Sequence, residues 1–307
     1  MKAILKDFRI GCVVLSMLVL LVMTLYPSHS QKSPIYKVMF IVDITRSMNA
    51  EDYQMDDKRI SRLEFVKRSL SNLLVRLPCQ SQVGLGIFTE RRSAILFEPV
   101  EVCTGFNELN KSIAALDWRM AWAADSRIAS GLLNTLQQLS NKETTLVFIS
   151  DGQEAPPVNL RYRTDFAEVK GKVKGIIVGA GGLQPVTIPK FNHKGQPSGV
   201  YGADDVPQRS SFGEPDLNPE KIEGYDARNA PFGRAAAKGI EHLSALHESY
   251  LLQLAAETGL QYHRLQDSDE LWHALQIPEF ALPTPVEADI RGYYAAAVLI
   301  LLIVFHF

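Results

Sequence analysis

Along the middle of the chain, short apolar runs alternate with amphipathic stretches. Tyr36 to Asp43 reads YKVMFIVD, Gln82 to Thr89 reads QVGLGIFT, and Thr144 to Ser150 reads TTLVFIS. Runs this short and this apolar predict strands buried on both faces, and GIIV from Gly175 to Val178 and Gln261 to Leu265 add two more. Between them, Arg62 to Leu77 places Leu63, Val66, Leu70, Leu73, Leu74 and Leu77 at helical spacing. Helices are likewise predicted over Phe106 to Leu116, Ile128 to Leu139, Phe166 to Val173, His247 to Thr258 (closed by Gly259) and Ser268 to Leu275. Ser93 to Phe97 follows Gln82 to Thr89 across the turn Glu90-Arg91-Arg92, which predicts a hairpin.

Strands alternating with helices imply an α/β, doubly wound, mostly parallel sheet covered on both faces, here with one antiparallel edge strand from the hairpin. Ligands in such sheets bind at the carboxyl ends of the strands. Residues 31–277 form this domain. A stretch at about 181–240, rich in Gly, Pro, Asp and Ser, interrupts the alternation as a loop or hairpin insertion, with VTIPKF and SGVYGA flanking Asn192-His193-Lys194-Gly195. Pro278, Pro283 and Pro285 predict a stiff linker over 278–289.

The two ends change the picture. Residues 1–30 carry Ile10 to Tyr26, uncharged and apolar, after Lys2, Lys6 and Arg9. This is a membrane anchor or a signal segment cleaved before Gln31; its length favours the anchor. Residues 290–307 end in YYAAAVLILLIVFHF, apolar on every face, and predict a second membrane segment. Basic residues before the first segment put both ends on the cytoplasmic side of a membrane and the middle outside the cytoplasm. The net charge of −2 leaves no footprint for nucleic acid. Cys79 and Cys103 then lie in an oxidising compartment, at the start of one hairpin strand and just past the end of the other, and are expected to form a disulfide; Cys12 stays free.

Candidate chemistry sits where strands end. Asp43-x-Thr45-x-Ser47 places oxygen-bearing side chains at every second position after the first strand. Without His or Cys, such a set suits a hard cation: Mg²⁺ first, Ca²⁺ or Mn²⁺ as alternatives. A cluster of helix N-caps is the competing reading of these residues alone. Asp151 follows TTLVFIS and also ends a central strand. Neighbouring strands would bring Asp43 and Asp151 together, and a cation would relieve their repulsion. Gly179-Ala180-Gly181-Gly182 is read as a plain turn rather than a dinucleotide loop.

Asp43-x-Thr45-x-Ser47 and Phe-Ile-Ser-Asp151-Gly resemble the metal-ion-dependent adhesion site of von Willebrand factor A (vWA) domains, over residues 36 to about 276. The resemblance also implies a hydroxyl from a middle loop. Asp125-Ser126-Arg127-Ile128 matches that register and puts Ser126 where the family has Thr. It implies a non-enzymatic module whose cation is completed by a carboxylate of a protein partner. Trp118, Met120 and Trp122 precede Ser126 in a loop expected to rim the cation, either as packing or as interface anchors. Ser-Met-Asn-Ala-Glu-Asp, Arg62-Leu63, Ile188-Pro189 and LLQLAAETGLQYHRL are similar to bacterial membrane vWA proteins associated with MoxR-type ATPases. Within that branch the chain resembles the vWA proteins of methanol-oxidation clusters, implicated in calcium insertion into methanol dehydrogenase. The functions implied are partner binding in assembly or maturation of a client complex, with other vWA membrane proteins or a MoxR-type ATPase system as further partners. The alternatives are delivery of calcium to a periplasmic dehydrogenase and a structural envelope role.

Overall fold

The computed structural model describes residues 2–122, 125–155, 163–192, 194–205 and 242–306. They divide into two units, residues 35–282 and the joined ends 1–34 and 283–307.

The larger unit is built on the strand runs read above. Strand β1 (Ser28–Asp43) is flanked by β4 (Gln82–Thr89) on one side and β6 (Thr145–Ser150) on the other, both parallel to it. Outward from β6 come β7 (Gly175–Ala180) and β12 (Gln261–Leu265), also parallel. Outward from β4 comes β5 (Arg92–Glu101), antiparallel, which is the expected edge hairpin. The chain starts at β1, moves one way to β4 and β5, then returns to β6 on the opposite side. The reversal falls at the carboxyl end of β1, where such sheets form a crevice.

Side chains alternate across β1. Val38, Phe40 and Val42 face one core with helices α2 (Arg62–Arg76), α3 (Phe106–Ala114) and α6 (Glu270–Leu275). Met39 and Ile41 face the other core with α4 (Ile128–Leu139) and α5 (Glu248–Thr258). Helix α2 is started by Ser61, whose hydroxyl accepts the Glu64 N–H at 3.2 Å. Helix α5 is stopped by Gly259 at φ 79°, a left-handed turn that glycine adopts without strain.

Two sequence expectations need correction, and one element was not foreseen. Phe166 to Val173 is not a helix but a run of turns: Gly171 stands at φ 69°, and its N–H leaves the local pattern to bond Thr258 O at 3.0 Å. The stretch 278–289 is not merely a linker. Ala281–Asp289 is strand β13, paired with β1. Pro283 and Pro285 are two apart, so their missing N–H groups lie along the same edge and leave the other free to pair. Tyr53–Met55 (β2) and Lys58–Ile60 (β3) form a hairpin that was not foreseen, turning on Asp56 and Asp57 at φ 49° and 61°. The expected surface hairpin is present as β9 (Pro189–Phe191) with β10 (Pro197–Val200). A short pair, β8 (Val186–Thr187) with β11 (Leu243–Ser244), closes the insertion at its base. The rest of that expected insertion, residues 206–241, and His193 of its turn lie outside the described residues.

Cys79 and Cys103 form the expected disulfide, with Cα atoms 5.3 Å apart, while Cys12 is free. Glu101 lies beside it, and its carboxylate accepts the N–H groups of Gln80, Cys103 and Thr104 and the Thr104 hydroxyl. Burial works to raise its pKa, but these donors hold it down at about 2. With both sulfurs bonded to each other and Glu101 saturated, this cluster is a structural knot and offers no ligands to a metal. Reduction of the disulfide, which closes a loop between residues 24 apart, is expected to lower stability by about 3 kcal/mol. Urea unfolding with and without reductant measures it, and an unchanged midpoint refutes it.

In the smaller unit, α1 (Lys2–Leu25) packs against α7 (Arg291–His306). Cys12 and Ser16 of α1 are buried, whereas Leu15, Leu18 and Leu21 are exposed. At the base of the helices the Ile290 N–H bonds Pro27 O at 3.0 Å, and Ser28 Oγ bonds Glu287 at 3.0 Å. Among the described residues no helix is long and apolar enough to cross a membrane. The 16 residues of α7 rise only about 24 Å, against a hydrocarbon core of about 30 Å.

Candidate metal site

Asp43 is the last residue of β1, and Asp151 follows the last residue of β6. Because those strands are parallel neighbours, with Val42 opposite Ile149, both carboxylates arrive at the same end of the sheet. Both are fully buried. Asp43 Oδ1 accepts the Thr45 N–H at 2.8 Å, an Asx-type turn that bends the chain away from the strand, and Oδ2 accepts the Ser150 hydroxyl at 2.7 Å. Thr45 Oγ1 and Ser47 Oγ lie 3.3 Å apart, so alternate residues of the loop do point their hydroxyls to one place. A single 3₁₀ turn over Arg46–Asn49 then carries the chain away.

Ser126 reaches this rim from the opposite core. Its N–H bonds Ala155 O at 2.8 Å, and it bridges Glu90, so it is fixed to the segments that follow β6 and β4, the two strands flanking β1. Its hydroxyl is buried and has no hydrogen-bond partner among the described residues. A buried polar atom left this way costs on the order of 1–3 kcal/mol and calls for an explanation.

The electrostatics point the same way. Burial, and then the nearby charge of Asp151, push Asp43 up from 3.8 to about 7, against the pull of its hydrogen bonds to Thr45 and Ser150. The donors are all oxygens: two carboxylates and three hydroxyls. That set fits a hard divalent cation, which would neutralise the acids and give the Ser126 hydroxyl something to bind.

The sequence reading missed the groups that surround Asp151. Its Oδ1 accepts the Gln153 N–H at 2.9 Å, and its Oδ2 accepts Arg62 Nη1 at 2.7 Å and Ser244 Oγ at 3.3 Å. Arg62 is completely buried and also grips Asp52 through Nε and Nη2. Two signals for this were present. A cation in the first turn of a helix opposes the helix dipole unless it is paired. Gly181-Gly182 stands where any Cβ on Gly181 would lie 2.7 Å from Arg62 Nε.

On the rim, Trp118 is half-buried and stacks on Phe191 of β9, ring centroids 5.6 Å apart. Met120 and Trp122 are exposed, at 40% and 54%, and Trp122 Nε1 donates to Glu90 at 2.8 Å. One aromatic therefore packs and two side chains face outward.

Residues 38–153, within this mostly parallel sheet, match the family model of the von Willebrand factor type A domain, which makes the fold vWA-like. No curated protein matches the chain. Among solved structures it is similar to an aerotolerance-related membrane protein from Bacteroides fragilis, with 17% identity and a TM-score of 0.49, covering 78% of this chain and 96% of that one. It is also similar to BatB from Bacteroides thetaiotaomicron, with 15% identity and a TM-score of 0.48, covering 78% and 95%. A membrane-spanning protein from Vibrio fischeri shares 18% identity over 78% and 95%, with a TM-score of 0.29.

Proposed function

We propose that this chain is a membrane-anchored binding module. It holds a divalent cation, Mg²⁺ first, among Asp43, Thr45, Ser47, Ser126 and Asp151, and uses it to bind a protein partner during assembly or maturation of a larger complex. The observation that carries the reading is the Ser126 hydroxyl, buried without a partner among the described residues on the rim that also holds two buried carboxylates. When bound, the cation supplies a Lewis-acidic position for a carboxylate of the partner. The chain's own residues do the rest. Asp43 is aimed by Thr45 and Ser150, and Ser126 is held by the backbone of Ala155. Met120 and Trp122 offer outward-facing contacts of the kind that anchor interfaces.

The anchoring is supported by the packing of α1 on α7. Small side chains, Cys12 and Ser16, lie inside while large leucines lie outside. A helix pair folded in water buries its large apolar residues; this inverted arrangement suits lipid around the pair. The apolar segments are short for a full span, so Arg291 and the flanking tyrosines would sit at the headgroups. With both ends held on the cytoplasmic side, the vWA-like unit faces the periplasm.

One experiment tests the binding reading. Detergent-solubilised full chain is titrated with Mg²⁺ by calorimetry and then used to capture partners with and without chelator. Native protein is expected to bind the ion and to lose captured partner on chelation. Ser126→Ala should weaken Mg²⁺ binding by at least about tenfold, the loss typical even of groups that only support a ligand. In metal-free protein it should not destabilise the fold and is expected to raise stability by about 1–3 kcal/mol, because it removes a buried hydroxyl that has no bond to lose. A native chain that binds no Mg²⁺ overturns the reading.

A further inference from the structure

Arg62 is a fully buried guanidinium that the cation reading leaves without a task. It is over-determined in place. Nε lies 3.1 and 2.9 Å from the two Asp52 oxygens and Nη2 lies 2.6 Å from Asp52 Oδ2. Nη1 lies 2.7 Å from Asp151 Oδ2 and 2.6 Å from Ser244 Oγ, and Nη2 bonds Ser244 O at 3.2 Å. Asp52 is itself fixed by the Gly182 N–H at 2.8 Å. A guanidinium keeps its proton in proteins, and here two carboxylates, Asp151 and Asp52, face it. A permanent positive charge is therefore built against one of the two carboxylates that end the central strands, and a third carboxylate is built against that positive charge.

We propose that Arg62 is the resident counter-ion of the cation site, a positioning residue that holds affinity for the ion down, and that Asp52 sets how strongly it does so. The proposal rests on the cation reading above. Its physics is charge competition. Asp43 and Asp151 offer the ion two negative charges, and Arg62, itself partly offset by Asp52, cancels part of them. Arg62 keeps Asp151 compensated while the ion is away, and it repels the ion as it arrives. By drawing on the same guanidinium from the far side, Asp52 weakens both effects. A module tuned this way exchanges its ion readily, and it keeps the bound ion short of negative charge, so that a partner's carboxylate is wanted.

The sign of the effect separates this from a scaffolding role. Arg62→Met removes the charge and keeps most of the stem; it is expected to tighten Mg²⁺ binding about tenfold. Asp52→Asn keeps an acceptor for Gly182 but loses the charge that offsets Arg62; it is expected to weaken binding about fivefold. Arg62→Lys keeps the charge and loses the fork, and should stay within about threefold of native. A residue that merely shapes the site would loosen binding in all three. Calorimetric titration of the full chain with Mg²⁺, with the thermal midpoint of each metal-free variant as a folding check, gives the answer. Weaker binding by Arg62→Met overturns the proposal. Should Arg62→Met fail to fold, Arg62→Lys decides: near-native affinity upholds the counter-ion role, and a tenfold loss overturns it. If native chain binds no Mg²⁺, the cation reading fails and carries this proposal with it. If native chain binds and the signs are wrong, only the role of Arg62 falls.

Discussion

In metal-free protein at pH 8, Asp43→Asn is expected to raise the thermal midpoint by roughly 4–8 °C while abolishing the response to Mg²⁺. Asp43 is buried, faces Asp151, and is pushed from 3.8 to about 7. The folded chain therefore holds a proton at this carboxyl between about pH 4 and pH 7 that the unfolded chain has released. The folded state binds more protons across that window, so stability falls as pH rises through it and levels off above about 7. The displacement corresponds to at most about 4 kcal/mol. Asparagine resembles the protonated acid and still accepts the Thr45 N–H, but the Ser150 hydroxyl must turn to accept rather than donate. A net gain of about 2 kcal/mol remains, at 2–4 °C each for a domain of this size. Native protein should lose stability from pH 5 to pH 8 and regain it with Mg²⁺; the variant should do neither. Calorimetric scans across that range check it, and a variant that melts below native at pH 8 would mean that Asp43 is not under charge stress.

Gly131→Ala is expected to destabilise the larger unit by about 2 kcal/mol, although alanine is the better helix former. In the interior of α4, the exchange should gain about 1 kcal/mol on propensity. A Cβ here, however, would collide with Cε2 of Phe88, a fully buried ring that is itself tilted against Phe148 with centroids 5.7 Å apart. Neither ring has room to withdraw, and overpacking of this kind costs about 1–3 kcal/mol or more. Phe88→Leu makes space at the point of collision, so the double variant Gly131→Ala, Phe88→Leu should lose less than the two single losses added together. Urea midpoints of the four proteins measure the coupling, and strict additivity would refute the contact as the cause.

The contrast between these residues shows what the sequence makes legible. Strand runs such as YKVMFIVD and TTLVFIS are buried on both faces, and their composition declares it, so the sheet and the position of Asp43 and Asp151 at its end could be read directly. The edge hairpin and its disulfide follow from one turn and two cysteines. Arg62 is different. Its role arises from carboxylates 10 and 89 positions away, and a charge at the head of an amphipathic helix ordinarily reads as a solvated one. Gly131 looks like a weakness in a helix until Phe88 is placed beside it. Asp56 and Asp57 turn a hairpin through left-handed backbone, which aspartate tolerates but does not announce. What was missed is pairing across the fold, which no local pattern encodes.

The short ladder of β8 and β11 has a consequence for how such a chain can diverge. Strands paired this way lie about 4.8 Å apart, so the polypeptide that departs after Thr187 comes back beside its own point of departure at Leu243. The intervening stretch behaves as a cassette with a fixed socket. Its closure entropy grows only logarithmically, about 0.6 kcal/mol for each doubling of length. Descendants of this chain can lengthen, trim or exchange it and so acquire new associates, while the oxygen cluster at the head of the sheet is inherited untouched.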